Sequence, residues 1–357
     1  MRARVLVSLV AALALAGCAS MPDQPTDSAG TIAFLLPESK AARYESTDRP
    51  SFEETVAERC ASCRLLYANA DQDAARQLQQ AESVLTQGAG VLVLDAVDST
   101  AAIAIVEMAQ ARGVPVIAYD RFIANAPLDY FVGVDGATVG YMQGLALLNA
   151  LKARPLPASG RFGILAVNGA ATDPNAAAYK AGLARVLRGE PVDVLASYDT
   201  PDWSPDKTQA WVSDQLTQFG SSVDGIYAAN DGEAAGAISA MRAAGVDPVK
   251  PVTGQDAELA AIQRIISGDQ LMTIYKAVAD QAAAAAELAV QVVHGHSPVT
   301  LAKLAGVPAV FLEPQTVDIH NIRVVIVERG IYTTEEICVE PYTPACVAAG
   351  LLEAGAS

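Results

Sequence analysis

Tyr119, Asp120 and Arg121 stand together at the end of the apolar run Val114-Pro115-Val116-Ile117-Ala118. Such a run, preceded by a helical pattern closed at Gly113, predicts a buried strand of a parallel sheet, so the charged pair falls at the strand's carboxyl end. In open α/β sheets that end is where ligands bind. A carboxylate beside a guanidinium offers acceptors and a planar donor fork to adjacent hydroxyls, although a structural ion pair is the simpler alternative. Similar groups recur at other predicted strand ends: Arg43 and Tyr44 after the first strand, then Asp173 and Asn175, Trp203, Asn230 and Asp231, Gln255 and Asp256, and Lys276. The set suits a neutral polyhydroxylated molecule, whose hydroxyls need charged and amide partners in a dry cleft while aromatic rings cover its C–H faces. Asp231 alone reads as a helix N-cap, and Arg43 alone as a solvated loop residue. Trp203 lies in a polar, Pro-punctuated stretch and is expected on a loop, not in a core. Trp211, inside the next helical pattern, is expected to pack.

The elements that position these residues alternate from residue 31 onward. Strands are predicted over 31–36, 65–67, 91–94, 115–119 and 130–134, with helices over 50–59, from Ala74 through Leu78, Ala81 and Leu85, and over 100–112. A second series has helices over 137–151, 176–187, 205–219, 232–244 and 258–266, with strands over 162–167, 192–197, 225–229, around Val252, and over 272–275. Repeated βα units demand parallel sheets covered on both faces, and two successive series predict two similar lobes. A helix over 278–293 and strands over 309–312 and 323–327 are left over, so the chain is expected to cross between lobes more than once.

With 357 residues and 52% hydrophobic content the chain is long enough for two domains with cores, and 18% charged residues is too few for a disordered protein. A net charge of -16 argues against a nucleic-acid partner. Arg2 and Arg4 precede an apolar segment over 5–16 that is too short to span a bilayer but has the form of an export signal. Leu15-Ala16-Gly17-Cys18 resembles a bacterial lipobox, which predicts a signal segment over 1–18, acylation of Cys18 and a flexible tether over 19–30. That places the mature chain on the outer face of the cytoplasmic membrane. Cys60, Cys63, Cys338 and Cys346 then sit in an oxidising compartment, where local pairing is the simplest of three connectivities. A redox role for Cys60-Ala61-Ser62-Cys63 fits poorly, because the first cysteine ends a helical pattern instead of starting one. The spacing of the second pair does not match a zinc half-site, and no metal or cofactor is expected. No Gly-rich phosphate loop, Gly-x-Ser-x-Gly elbow or His-Glu-x-x-His helix occurs, and none of the three histidines falls at a predicted strand end. The chain does not read as an enzyme.

The motifs Ala118-Tyr119-Asp120-Arg121, Ala229-Asn230-Asp231, Gly254-Gln255-Asp256-Ala257 and Tyr275-Lys276, in this order, resemble the xylose-binding members of the ribose/galactose type of periplasmic binding proteins. The resemblance covers about residues 31–327. It implies an α/β fold of two doubly wound parallel-sheet lobes joined by a three-segment hinge near 133–135, 276–277 and 311–314. The N-terminal lobe would comprise 31–133 and 277–311, and the C-terminal lobe 134–276 and 312–357. It further implies a monomer that closes on a monosaccharide and delivers it to an ABC transporter permease. By motif match the sugar contacts are Arg43, Asp120, Arg121, Asn175, Asn230, Asp256 and Lys276, with Tyr44 and Trp203 as stacking faces. Tyr44 replaces a tryptophan of the pattern, which leaves the sugar open between a xylose-like pentose and a related aldose. A receptor presenting sugar to a membrane sensor, or a binder of another small polar ligand, fits the same features. A sugar-responsive transcriptional regulator would need a basic DNA-binding module where this chain has its export segment.

Overall fold

The computed structural model describes residues 30–300 and 302–353; the predicted signal segment, Cys18 and the tether up to residue 29 lie outside the described residues. The first βα series forms β1 (Thr31–Leu36), α1 (Arg49–Arg59), β2 (Arg64–Asn69), α2 (Ala74–Thr86), β3 (Val91–Leu94), α3 (Ile103–Gln110), β4 (Val116–Tyr119) and β5 (Tyr130–Val134). The second forms α4 (Gly136–Lys152), β6 (Phe162–Asn168), α5 (Pro174–Leu187), β7 (Val192–Asp199), α6 (Pro205–Phe219), β8 (Gly225–Ala228), α7 (Asp231–Ala243), α8 (Leu259–Ile266) and β9 (Thr273–Tyr275). After these come α9 (Val278–Val293), β10 (Ala302–Leu304), β11 (Val307–Leu312), β12 (Gln315–Val317), α10 (Thr334–Ile337) and α11 (Thr343–Ala348).

Two parallel sheets result. The first has the order β10-β11-β5-β4-β3-β1-β2, parallel except for the β10–β11 hairpin. Every residue of β3, β4 and β5 is buried, as a sheet covered on both faces requires. One face packs Phe34, Val93 and Tyr119 against Phe52 of α1 and Ala282, Ala285 and Ala289 of α9. The other packs Leu35, Leu92 and Ala118 against Ala81 of α2 and Ile105 of α3. The second sheet, β7-β6-β8, is extended by a bridge from Ile226 to Val252 and then by the antiparallel pair β9–β12. Helices α4 and α5 cover one of its faces, α6 and α7 the other. The chain passes between the sheets three times, after β5, after β9 and after β11. Cys60 is bonded to Cys63 and Cys338 to Cys346.

Several local expectations are corrected. Arg323–Val327 is a wide helical turn, not a strand; its β-branched run buries Val325 and Ile326 against α8 and α10, and burial outweighs strand propensity. The buried stripe of α2 passes through Gln77, Ala81, Val84 and Leu85, whereas Leu78 is 38% exposed. Gln77 is buried because its amide is satisfied twice, by the Asp95 carbonyl at 2.7 Å and the Val97 N–H at 2.9 Å. The segment around Val252 makes a single bridge, and two short strands, β10 and β12, add to the edges of the sheets beyond those expected.

Helices α4 and α5 approach closely because glycines line their contact. A Cβ on Gly140 would stand 2.1 Å from the Tyr179 carbonyl oxygen, and one on Gly182 would stand 2.3 Å from that of Ala137. Backbone cannot yield there as a flexible side chain would. Gly140→Ala should therefore destabilise the protein by roughly 1–3 kcal/mol, read as a lower urea midpoint with an unchanged slope.

Candidate functional site

All nine residues singled out by the motif match line one cavity, together with Glu38, Ala41, Asp173, Tyr179 and Gln255. The first lobe contributes Arg43 and Tyr44, from the loop and helical turn after β1, and Asp120 and Arg121 from the end of β4. The second contributes Asn175 from the start of α5, Trp203 after β7, Asn230 after β8, Asp256, and Lys276 after β9. Asp120 and Asp256 have φ of 57° and 98°. Non-glycine residues seldom adopt such backbone, which costs on the order of 1–3 kcal/mol each and clusters at functional sites.

Each cation of the site touches a carboxylate. Arg43 meets Asp48 with Nε at 2.9 Å and Nη2 at 2.5 Å, and reaches Asp120 at 3.2 Å and Asp256 at 3.7 Å. Asp48 also accepts from the Tyr119 hydroxyl. Arg121 Nε lies 2.8 Å from Asp173 and 3.4 Å from Asp95, its Nη1 donates to the Ala96 carbonyl at 2.9 Å, and its Nη2 donates to the Tyr44 hydroxyl at 3.3 Å. Lys276 Nζ lies 3.1 Å from Asp256 and 3.7 Å from Asp120. Burial alone would raise the Asp120 carboxyl, but Lys276, Arg43 and Arg121 hold it well below the usual carboxylate range. For Asp95 and Asp173 burial outweighs Arg121, and both are pushed up.

Several of these contacts join the lobes. Arg121 with Asp173, Arg43 with Asp256 and Lys276 with Asp120 do so inside the cavity, as does the Asn175 amide donating to the Asp120 carbonyl at 3.2 Å. At the rim, Ala42 N–H donates to Glu258 at 3.3 Å and Ser99 N–H to the Thr172 carbonyl at 3.1 Å. The lobes are thus in contact across the cleft.

Trp203 departs from expectation. It is buried, 6% exposed, in a helical turn where its φ is 53°. Its six-membered ring lies over Gly169, where a Cβ would meet it at 1.9 Å, and its indole meets Tyr179 edge-on at 6.4 Å. Trp211, as expected, packs, stacked on Tyr198 at 5.2 Å. The cap of α7 is Asn230, whose Oδ1 accepts from Glu233 N–H at 2.8 Å. Asp231 is instead a buried first-turn residue accepting from Glu258 N–H, Gln270 and Thr273. Arg43 is 4% exposed, not a solvated loop residue. Among the described residues, Trp203 Nε1 and Gln255 Oε1 are buried without a protein partner, and both residues line the cavity.

Sequence reasoning missed Glu38, Asp48, Asp95 and Tyr179. Asp95 follows β3 directly, so the strand-end rule reaches it; Asp48 and Glu38 lie in an irregular stretch after β1 with no periodic signal. Tyr179 reads as an ordinary apolar position of α5.

Behind Asn230, Glu233 is completely buried and has no cation beside it, and neither carboxyl oxygen makes a hydrogen bond of good geometry. Burial, only partly opposed by the Thr200 hydroxyl and nearby backbone, pushes it up to about 8 from an ordinary 4.5. Between those values the folded state holds a proton that the unfolded chain has released, so stability falls as pH rises through this window. Glu233→Gln should come nearest to the parent near pH 4 and exceed it in stability near pH 8, as read by denaturant melts at both. Equal pH slopes in the two proteins would contradict the buried-acid assignment.

Residues 32–297 match the model of the periplasmic binding protein domain. The D-xylose-binding periplasmic protein of Haemophilus influenzae is 31% identical over 314 residues, covering 86% of this chain and 91% of the relative. The multiple sugar-binding periplasmic receptor ChvE of Rhizobium radiobacter is 28% identical over 355 residues, covering 93% and 99%. A carbohydrate transporter solute-binding protein from Chloroflexus aurantiacus, solved in complex with D-glucose, superposes with a TM-score of 0.76 at 25% identity, covering 85% of this chain and 97% of that one. Two parallel-sheet lobes around a shared polar cavity, together with the match over most of the chain, establish that this protein belongs to the periplasmic binding protein family, whose members are receptors and not enzymes.

Proposed function

We propose that the chain is the sugar-capturing component of an ABC importer, held to the outer face of the cytoplasmic membrane through acylated Cys18. Its ligand is a neutral monosaccharide, a xylose-like pentose or a related aldose. The observation that carries this reading is the convergence of all nine motif-matched residues, from both lobes, on one cavity. The names of the xylose-binding and multiple sugar-binding relatives, and the glucose held by the related structure, support the same ligand class.

The charge pattern favours a neutral ligand. Three cations and four carboxylates line the cavity, and every cation already touches a carboxylate. An anionic sugar would find no unpaired cation and would add to an excess of negative charge. A neutral sugar can use the remaining capacity: carboxylate lone pairs, the Nδ2 of Asn230, the indole N–H of Trp203 and the amide oxygen of Gln255. Tyr44 and Trp203 cover its C–H faces. Binding adds contacts available only when the lobes are closed, which shifts the population toward that form. The lobes are proposed to hinge where the chain crosses between the sheets, and the closed form is what the permease receives.

In a thermal-shift screen D-xylose or a related neutral aldose should raise the melting temperature, since a ligand at a hundred times its Kd adds about 2.7 kcal/mol to stability. D-glucuronate should give no shift. Calorimetry should find Lys276→Ala weakened roughly thirtyfold or more, because losing one partner of a buried charged contact costs about 2–5 kcal/mol. No response to any neutral monosaccharide would overturn the ligand class, and unchanged affinity in Lys276→Ala would place the site elsewhere.

A further inference from the structure

The cysteine pair Cys60-Ala61-Ser62-Cys63 plays no part in the sugar site, and the structure sets a third residue beside it from far along the chain. His294, at the C-terminal end of α9, brings Nε2 to 4.0 Å from Cys60 Sγ. The two sulfurs and a ring nitrogen of His294 all lie within 4.8 Å of one another. The other ring nitrogen, Nδ1, is 2.8 Å from the Val290 carbonyl oxygen. A carbonyl can only accept, so Nδ1 carries the proton and the Nε2 lone pair faces the sulfurs. This is how a metal-ligating histidine is held: one ring N–H is donated to a backbone carbonyl, which fixes the tautomer and orients the free nitrogen.

We propose that Cys60, Cys63 and His294, once the disulfide between the cysteines is reduced, hold a zinc-type divalent ion. Two thiolates and an imidazole are a soft ligand set suited to zinc, and water or the nearby Ser62 hydroxyl can complete four-coordination. The scaffold fits. Zn–S and Zn–N bonds of about 2.3 and 2.0 Å put tetrahedral ligand atoms roughly 3.5–3.8 Å apart, and the cysteine Cα atoms stand 5.3 Å apart. The chemistry balances: a phosphine or dithiol donates two electrons and breaks the S–S bond, leaving two thiols, and the ion displaces their two protons on binding. Cys60 is buried, so a thiolate there needs a cation, and the neighbouring Arg59 is already engaged with Glu287 at 2.6 Å. By contrast Cys338 and Cys346 are packed in an apolar cluster with no third ligand beside them among the described residues. Oxidised, the pair closes only the turn between α1 and β2; reduced and metal-loaded, it would tie the end of α1 to the end of α9 through His294.

The test is cobalt and zinc titration of the full chain after reduction by a water-soluble phosphine, with the oxidised protein as control. Reduced protein should bind one equivalent of Co²⁺ with the visible absorption of tetrahedral thiolate coordination, and Zn²⁺ should displace it. The oxidised protein should show no such band. His294→Ala should weaken Zn²⁺ binding at least about tenfold, and the double variant Cys338→Ser, Cys346→Ser should bind as the parent does. Should reduction loosen the fold, the ion is supplied during reduction, and failure to retain one equivalent overturns the proposal. A cobalt band that survives in His294→Ala at parental affinity, or that appears equally in oxidised protein, overturns it as well.

Discussion

The molecule turns on a buried set of opposite charges that neither lobe completes alone. Arg43, Arg121 and Lys276 face Asp48, Asp95, Asp120, Asp173 and Asp256, all nearly removed from water. Ions in such surroundings are tolerated only when paired and hydrogen-bonded on every side. That requirement explains the detail around them. Gln77 pins the loop after β3, so that Ala96 presents its carbonyl to Arg121. The Tyr119 hydroxyl donates to Asp48, and the Tyr44 hydroxyl accepts from Arg121. Asp120 holds a left-handed backbone conformation in which its carboxylate meets Arg43 and Lys276 while its carbonyl accepts from Asn175. Because partners of these ions sit on opposite lobes, the electrostatics that define the pocket also join the lobes.

Much of the architecture is legible in the sequence because its signals are local. Fully apolar β-type runs such as 91–94 and 116–119 can only be central strands, and the charged residues that follow them must then gather along one edge of the sheet. Asp120, Arg121, Asn230, Asp256 and Lys276 are found by that reasoning. Where it fails, a tertiary partner decides. The run Arg323–Val327 has strand propensity but buries its Val and Ile side chains in a helical turn against α8 and α10. Gln77 is buried by two long-range hydrogen bonds that periodicity cannot show, and Leu78 is exposed in its place. Trp203 stands among turn residues, yet the lack of a side chain at Gly169, on the neighbouring strand's end, opens the slot that takes its ring. His294 could not be joined to Cys60 from sequence, since the proximity of α1 and α9 is a product of the completed lobe.

Specificity and stability draw on the same groups here. In the site as proposed, internally neutralised cations leave hydroxyls to be told apart by direction and number instead of by charge, so discrimination would rest on where the lone pairs and N–H groups point. Their positions are set by residues behind the cavity wall: Asp231 is anchored by Gln270, Thr273 and the Glu258 backbone, and Asn230 is fixed by capping α7.

The order in which the chain supplies its parts has a consequence for biosynthesis. One face of the first sheet is covered by α9, which arrives only after the whole second βα series, and the sheet's far edge is built by β11 and β10, later still. A polypeptide emerging from the ribosome N-terminus first therefore holds Phe34, Val93 and Tyr119 on an unfinished surface until nearly three hundred residues have been made. The lobe that begins first cannot close its core first. Until then α1 alone covers that face, and the packing of Ala282, Ala285 and Ala289 against it is among the last steps by which this lobe completes its core.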